Sequence, residues 1–183
     1  MKKILLLISI VLSLLLCGCA AREIERGYLV SAIGFSEKGG QTNIYIEALN
    51  SSNTTDKPSE RVVLMSSGIS VENAFENLKQ TLIKPLYFEQ LGTVIFEEKI
   101  NSNAIEFLKD MPNINYGIYL VKTDNLDKLF TFENLNEPLG YVIIGLLKTN
   151  EETTGQLYKM NRSAFYLATI NTEDNGLVLA KKE

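Results

Sequence analysis

The sequence predicts an α+β fold in which helices pack mainly on one face of a mixed, partly antiparallel sheet. Three observations predict this class. Strand-like and helix-like segments are interleaved, two early strands are joined by a Gly-Gly turn, and two later segments carry apolar residues at helical spacing. Because a Gly-Gly hairpin joins antiparallel strands, at least part of the sheet must be antiparallel.

The first three strands are predicted from β-branched and alternating apolar residues. Tyr28 to Glu37 and Thr42 to Leu49 flank Lys38-Gly39-Gly40-Gln41, which is typical of a hairpin turn. Residues 50–60 are rich in Asn, Ser, Thr and Asp and contain a proline, so they predict a solvated loop. Arg61 to Ser67 follows as the third strand.

Two amphipathic helices and a strand are predicted next. Ser70 is the candidate N-cap of the first helix, and Pro85 marks its end. The apolar stripe of this helix consists of Val71, Ala74, Phe75, Leu78 and Leu82. Leu91 to Glu98 predicts a strand, and Asn101 to Met111 predicts the second amphipathic helix.

The last third of the chain predicts shorter elements. Tyr116 to Lys122 is strand-like, Asn125 to Phe130 predicts a short helix, and Pro138 to Lys148 predicts a longer one. After residue 149 the pattern is ambiguous. Ala164 to Ile170 and Leu177 to Ala180 predict a hairpin, or the first of these runs continues a helix.

The N-terminus has the layout of an export signal. Lys2 and Lys3 precede an apolar run from Ile4 to Leu16, which is shorter than the about 20 residues that a spanning helix needs. Leu16-Cys17-Gly18-Cys19 then resembles the lipobox of bacterial lipoproteins, with Cys19 as the lipidated residue. The predicted organisation is a signal peptide at 1–18, a lipid-anchored tether at 19–27 and a single domain at 28–183.

Composition restricts the chemistry of this chain. It contains no histidine, which removes Ser-His-Asp and Cys-His catalysis, zinc-histidine sites and histidine pH switching. A net charge of −4 argues against binding of nucleic acid along a basic face. No cofactor-binding, metal-binding or catalytic residue is predicted. Cleavage before Cys19 would leave the mature protein without a free thiol or a disulfide.

The remaining candidate motifs have ordinary structural interpretations. Glu97 and Glu98 should point to opposite sides of a charged strand end in solvent, which is a poor arrangement for paired catalytic acids. Glu151 and Glu152 are interpreted as solubilising loop residues. Most aromatic residues are spread over separate elements, which favours core packing. The apolar run 141–147 is either a buried helix or a surface that docks onto a partner.

Several segments together resemble the Ger(x)C family, the lipoprotein C subunits of spore nutrient germinant receptors, specifically its N-terminal domain. They are Gly18-Cys19, Arg22-Glu23-Ile24-Glu25, Ala32-Ile33-Gly34-Phe35, Ser67-Gly68-Ile69-Ser70-Val71-Glu72-Asn73-Ala74, Pro85-Leu86-Tyr87-Phe88-Glu89-Gln90-Leu91-Gly92-Thr93-Val94-Ile95-Phe96 and Phe107-Leu108-Lys109-Asp110. Ala20-Ala21 departs from the Trp-Asp that usually follows the family's cysteine.

The resemblance implies a non-catalytic subunit that acts in germination at the outer face of the spore inner membrane. Its implied partners are the integral membrane subunits of the receptor and, through the acyl anchor, the lipid bilayer. Two alternatives stay open: a membrane-tethered hydrolase of envelope polymers that uses carboxylates, and a generic extracytoplasmic binding or scaffold lipoprotein.

Overall fold

The computed structural model describes residues 27–50, 60–115, 117–150, 154–157, 167–173 and 176–180. These residues form eight strands and four helices. The strands are β1 (Tyr28–Lys38), β2 (Gln41–Asn50), β3 (Glu60–Gly68), β4 (Leu86–Tyr87), β5 (Thr93–Glu97), β6 (Tyr119–Thr123), β7 (Ala168–Glu173) and β8 (Gly176–Leu179). The helices are α1 (Val71–Thr81), α2 (Ser102–Asp110), α3 (Leu126–Phe130) and α4 (Leu139–Thr149).

The strands form one mixed sheet in the order β3-β2-β1-β5-β6-β7-β8, with β4 pairing beside β1. β1, β2 and β3 are antiparallel neighbours, β1, β5, β6 and β7 are parallel neighbours, and β8 returns antiparallel to β7. The α+β class and the mixed, partly antiparallel sheet are therefore confirmed.

The Gly-Gly turn joins β1 and β2 as the sequence predicts. Gly39 and Gly40 have φ angles of +62° and +77°. Two central residues with positive φ are the mark of a type I′ turn, whose twist matches that of the flanking strands. Further along this hairpin, the register shifts between Val30 and Ala32, so Ser31 is an extra residue in β1.

The helices differ from expectation in one respect, because two of them lie on each face of the sheet. Phe75 of α1 and Leu108 of α2 belong to one apolar cluster, whereas Leu129 of α3 and Ile143 of α4 belong to the other. Every residue of β5 is buried, and the strand contributes Val94 and Phe96 to the first cluster and Ile95 to the second. Central parallel strands need cover on both faces, and the second pair of helices supplies it.

Three of the helices have a polar N-cap residue whose side chain accepts a backbone hydrogen bond. The Ser70 hydroxyl accepts a hydrogen bond from the Asn73 N–H at 3.2 Å, which confirms Ser70 as the N-cap of α1. Asn101 and Asn125 cap α2 and α3 in the same way. The start of α4 instead lies close to β1, and a Cβ on Gly140 would come within 2.2 Å of the Ser31 carbonyl oxygen.

The remaining predicted elements are mostly present. The hairpin alternative for the end of the chain is the observed one, with Ile170 opposite Leu179. The two-residue strand β4 was not predicted. Of the run 141–147, Ile143 and Leu147 are buried while Tyr141 is 39% exposed, so the run covers the sheet as the buried-helix interpretation expects.

Candidate functional site: the groove between two helices

An apolar groove lies between α1 and α2 on one face of the sheet and has a volume of about 910 Å³. We call it the α1–α2 groove. Its lining consists of Glu72, Phe75, Lys79, Leu82, Ile83, Lys84, Pro85, Leu86, Phe88, Asn103, Glu106, Phe107, Asp110, Met111 and Pro112. Recesses of this size with mostly apolar walls are the usual places where proteins bind ligands or partners.

Three phenylalanines from different segments form the aromatic part of the groove. The ring centroid of Phe75 is 4.6 Å from that of Phe107 and 6.4 Å from that of Phe88. Phe75 is 1% exposed, whereas Phe88 and Phe107 are half-buried and pack against the core from the groove side. These tilted contacts stabilise the walls and leave apolar ring surface accessible.

One end of the groove lies where the chain enters β1. The Tyr28 N–H donates a hydrogen bond to the Pro85 carbonyl oxygen at 2.9 Å, and Tyr28 and Leu86 are register partners. The Lys84 ammonium donates to the Asn50 side-chain oxygen at 2.6 Å and lies 5.8 Å from the centre of the Tyr28 ring. The turn from Leu82 to Pro85, which we call the α1–β4 turn, is thus held against the start of the sheet.

The groove carries a small excess of acidic side chains. Glu72, Glu106 and Asp110 stand with Lys79 and Lys84 among its lining residues. Lys79 is paired with Glu76 at 2.8 Å on the surface of α1. The described lining residues include no serine, threonine, tyrosine or cysteine, so the groove supplies apolar contact and charge but no hydroxyl or thiol nucleophile.

Glu97 corrects one sequence prediction. Its side chain is 6% exposed, not in solvent, and it pairs with the Lys38 ammonium at 3.0 Å. It also accepts a hydrogen bond from the Leu126 N–H at the start of α3, at 3.2 Å. The hydrogen bond from Lys38 to Glu97 raises the pKa of Lys38 above its ordinary value. Glu98 is exposed, so the two adjacent glutamates differ in burial.

A second buried carboxylate was missed by the sequence analysis. Glu47 has no solvent exposure and pairs with Arg61 at 2.5 Å, while the Ser31 hydroxyl donates to its other oxygen. Arg61 further donates to the carbonyl oxygens of Phe130 and Phe132 at 2.9 and 2.7 Å. Each oxygen of Glu47 therefore has a donor, and the group is held in a structural role.

The predicted lipidation residue, Cys19, lies outside the described residues, as do the predicted signal peptide, most of the predicted tether, and Glu151 and Glu152. Within the described ranges, no helix is both long and apolar enough to cross a bilayer. The same ranges hold no cluster of three or more His, Cys, Asp or Glu side chains arranged to bind a metal ion.

The described residues define an α+β domain with an apolar groove between two helices on one face of its sheet. The sequence model of one protein family, described as the spore germination protein N-terminal domain, matches residues 20–180. The chain belongs to this family, and the Ger(x)C resemblance is confirmed for its N-terminal domain. No curated protein and no solved structure matches the chain significantly.

Proposed function

We propose that this protein is a membrane-anchored lipoprotein subunit of a spore nutrient germinant receptor, and that it acts in receptor assembly or signalling without catalysing a reaction. The observation that carries the proposal is the family match over residues 20–180, which starts directly after the lipobox cysteine Cys19. A germination domain and a lipidation motif are thus adjacent in one chain.

The acyl anchor provides the mechanism. One acyl chain gives only marginal membrane binding, whereas two hold a protein durably. Diacylglycerol on the Cys19 sulfur would therefore confine the domain to the outer face of the spore inner membrane. Confinement raises the effective concentration of the domain near the integral membrane subunits of the receptor, so that weak contacts suffice for assembly.

The state of the two buried carboxylates supports a non-catalytic role. Glu47 is neutralised by Arg61, and Glu97 is neutralised by Lys38 and a backbone N–H. A catalytic carboxylate must reach its substrate within hydrogen-bond distance, whereas Glu47 has no solvent exposure and the Glu97 side chain is 6% exposed. These pairs are suited to holding the sheet and α3 together.

The test is germination of spores that carry Cys19→Ala in a strain in which the tested nutrient acts through this receptor. We expect loss of the nutrient response, with germination by a trigger that bypasses receptors unchanged. Cys17→Ser is the matched control, because it changes a cysteine two positions away that leaves with the signal peptide. A normal nutrient response of the Cys19→Ala spores contradicts the proposal.

A further inference from the structure

Ile83 is the most exposed large apolar side chain in the described ranges, with 97% of its surface accessible. It lies in the α1–β4 turn, between the half-buried Leu82 and Lys84. The apolar lining of the α1–α2 groove includes Leu82 and Pro85 of this turn and continues into β4 at Leu86. An isoleucine that extends such a surface into water is a candidate for contact with another phase or molecule.

The position of this turn relative to the tether indicates which phase it meets. Pro85 accepts the hydrogen bond of the Tyr28 N–H, so the turn lies beside the first residue of β1. Gly27 packs against the ring of Tyr87, because a Cβ atom built on Gly27 would lie 2.1 Å from the Tyr87 Cε2 atom. Gly27 is eight positions after Cys19 in the sequence, and covalent geometry limits the distance between them to about 29 Å.

We propose that the α1–β4 turn contacts the surface of the bilayer that holds Cys19, with Ile83 inserted among the lipids. This inference rests on the lipid anchor of the proposed function. The residues in and beside this turn have the composition of a membrane interface, because Lys84, Tyr28 and Tyr87 combine apolar bodies with polar tips. The lysine is also attracted to anionic headgroups.

The opposite end of α1 provides a contrast within the same protein. Ile69 is 83% exposed and lies near Gly40 of the β1–β2 turn, which is at the opposite end of β1 from Gly27. The 11 residues of α1 separate the two isoleucines by about 16 Å along the helix axis. On the α2 side of the groove, the negative charges of Glu106 and Asp110 repel anionic headgroups. This repulsion confines the contact to the α1–β4 turn.

The experiment uses the mature, lipidated protein on vesicles of phosphatidylcholine and phosphatidylglycerol. Cys17 leaves with the signal peptide and the Cys19 sulfur is blocked, so Ile83→Cys and Ile69→Cys each introduce one reactive thiol. An environment-sensitive fluorophore is attached to either thiol. We expect a blue shift and quenching by spin-labelled lipids at position 83, and the spectrum of a hydrated probe at position 69.

Equal hydration of the two probes on vesicle-bound protein overturns the membrane contact and leaves the lipid anchor intact. Shielding of position 83 only after the integral membrane subunits are added also overturns it, since the turn would then contact protein. Unlabelled protein that fails to float with vesicles contradicts the lipid anchor itself and this inference with it. The flotation assay therefore separates failure of the proposed function from failure of the contact.

Discussion

Glu47 and Arg61 form an ion pair at 2.5 Å in which the carboxylate has no solvent exposure and the arginine side chain is 23% exposed. Arg61 uses its remaining nitrogens to bind the carbonyl oxygens of Phe130 and Phe132, at the C-terminal end of α3. The pair therefore joins β2 and β3 to a helix on the face opposite the α1–α2 groove. A cation at a helix C-terminus is favourable, because unpaired carbonyl groups point there.

We expect Arg61→Met to lower the free energy of unfolding by about 3–5 kcal/mol, because it leaves a buried carboxylate without its cation. The double variant Glu47→Leu/Arg61→Met should lose less unfolding free energy than Arg61→Met alone, since no buried charge remains. The Ser31 hydroxyl is also within 3.5 Å of the backbone oxygen of residue 47, which stays available in both variants. Urea titrations of residues 20–183 measure these differences, and wild-type stability of Arg61→Met contradicts the prediction.

Gly140 provides a second test because it lies at the closest approach of α4 to the sheet. A Cβ there would come within 2.2 Å of the backbone oxygen of Ser31, which cannot move without disturbing β1. We expect Gly140→Ala to cost about 1–3 kcal/mol of stability.

Gly145→Ala is the matched control on the same helix, since its Cβ would have no neighbour within 4 Å. Alanine is the better helix former, so this variant should gain up to about 1 kcal/mol. Thermal unfolding of both variants measures the two changes in stability. Equal changes at the two positions would show that the close approach of Gly140 to Ser31 does not affect stability.

Truncation of Glu97 to alanine should cost more stability than truncation of its partner Lys38. Glu97→Ala removes the acceptor of the Leu126 N–H, and an unsatisfied buried donor costs about 1–3 kcal/mol. Lys38→Ala should cost at most about 1 kcal/mol, because the lysine side chain is 63% exposed and water can replace it. Urea unfolding of the two variants gives the comparison. A larger loss for Lys38→Ala would contradict it.

Stability should fall as the pH rises above about 10, and Tyr45 should contribute to this fall. Burial raises the pKa of Tyr45 above its ordinary value, and Asp127 adds to the effect. The unfolded chain therefore releases this proton first, which favours unfolding as pH increases. Lys38, whose pKa is raised by its hydrogen bond to Glu97, has the same sign: its contribution is present below about pH 10.5 and is lost above it.

Tyr45→Phe keeps the ring, which packs 5.5 Å from that of Phe130, and removes the ionisable group. We expect a shallower decline of the unfolding free energy between about pH 9 and pH 11 than in the wild-type protein. Circular dichroism during urea titration at each pH gives the two curves. Parallel curves would mean that Tyr45 ionises alike in the folded and unfolded chains.

Elements with local signals were predictable from the sequence. The Ser70 cap, the apolar stripe of α1 and the Gly-Gly turn each depend on residues within a few positions of one another. β4 was missed because Leu86 and Tyr87 form a strand only where the start of β1 accepts them as neighbours. A two-residue strand leaves no periodic pattern to detect.

The candidate site was not predictable because its parts are brought together by tertiary packing. Phe75, Phe88 and Phe107 come from three separate segments, and the groove exists only once α1 and α2 lie side by side. The burial of Glu97 likewise depends on Lys38, which is 59 positions away. One signal was available: the uninterrupted apolar run Val94-Ile95-Phe96 is typical of a strand covered on both faces, and it indicates helices on each side.

The central strand β1 is made early, yet its parallel neighbour β5 follows only after β2, β3, α1 and β4. Pairings between such distant segments close slowly, because the chain entropy must be lost before the contacts form. Until β5 arrives, one edge of the first hairpin carries unpaired backbone donors and acceptors. The sheet is therefore completed late, and the first hairpin is the segment that stays open to pairing with the wrong strand until β5 packs beside it.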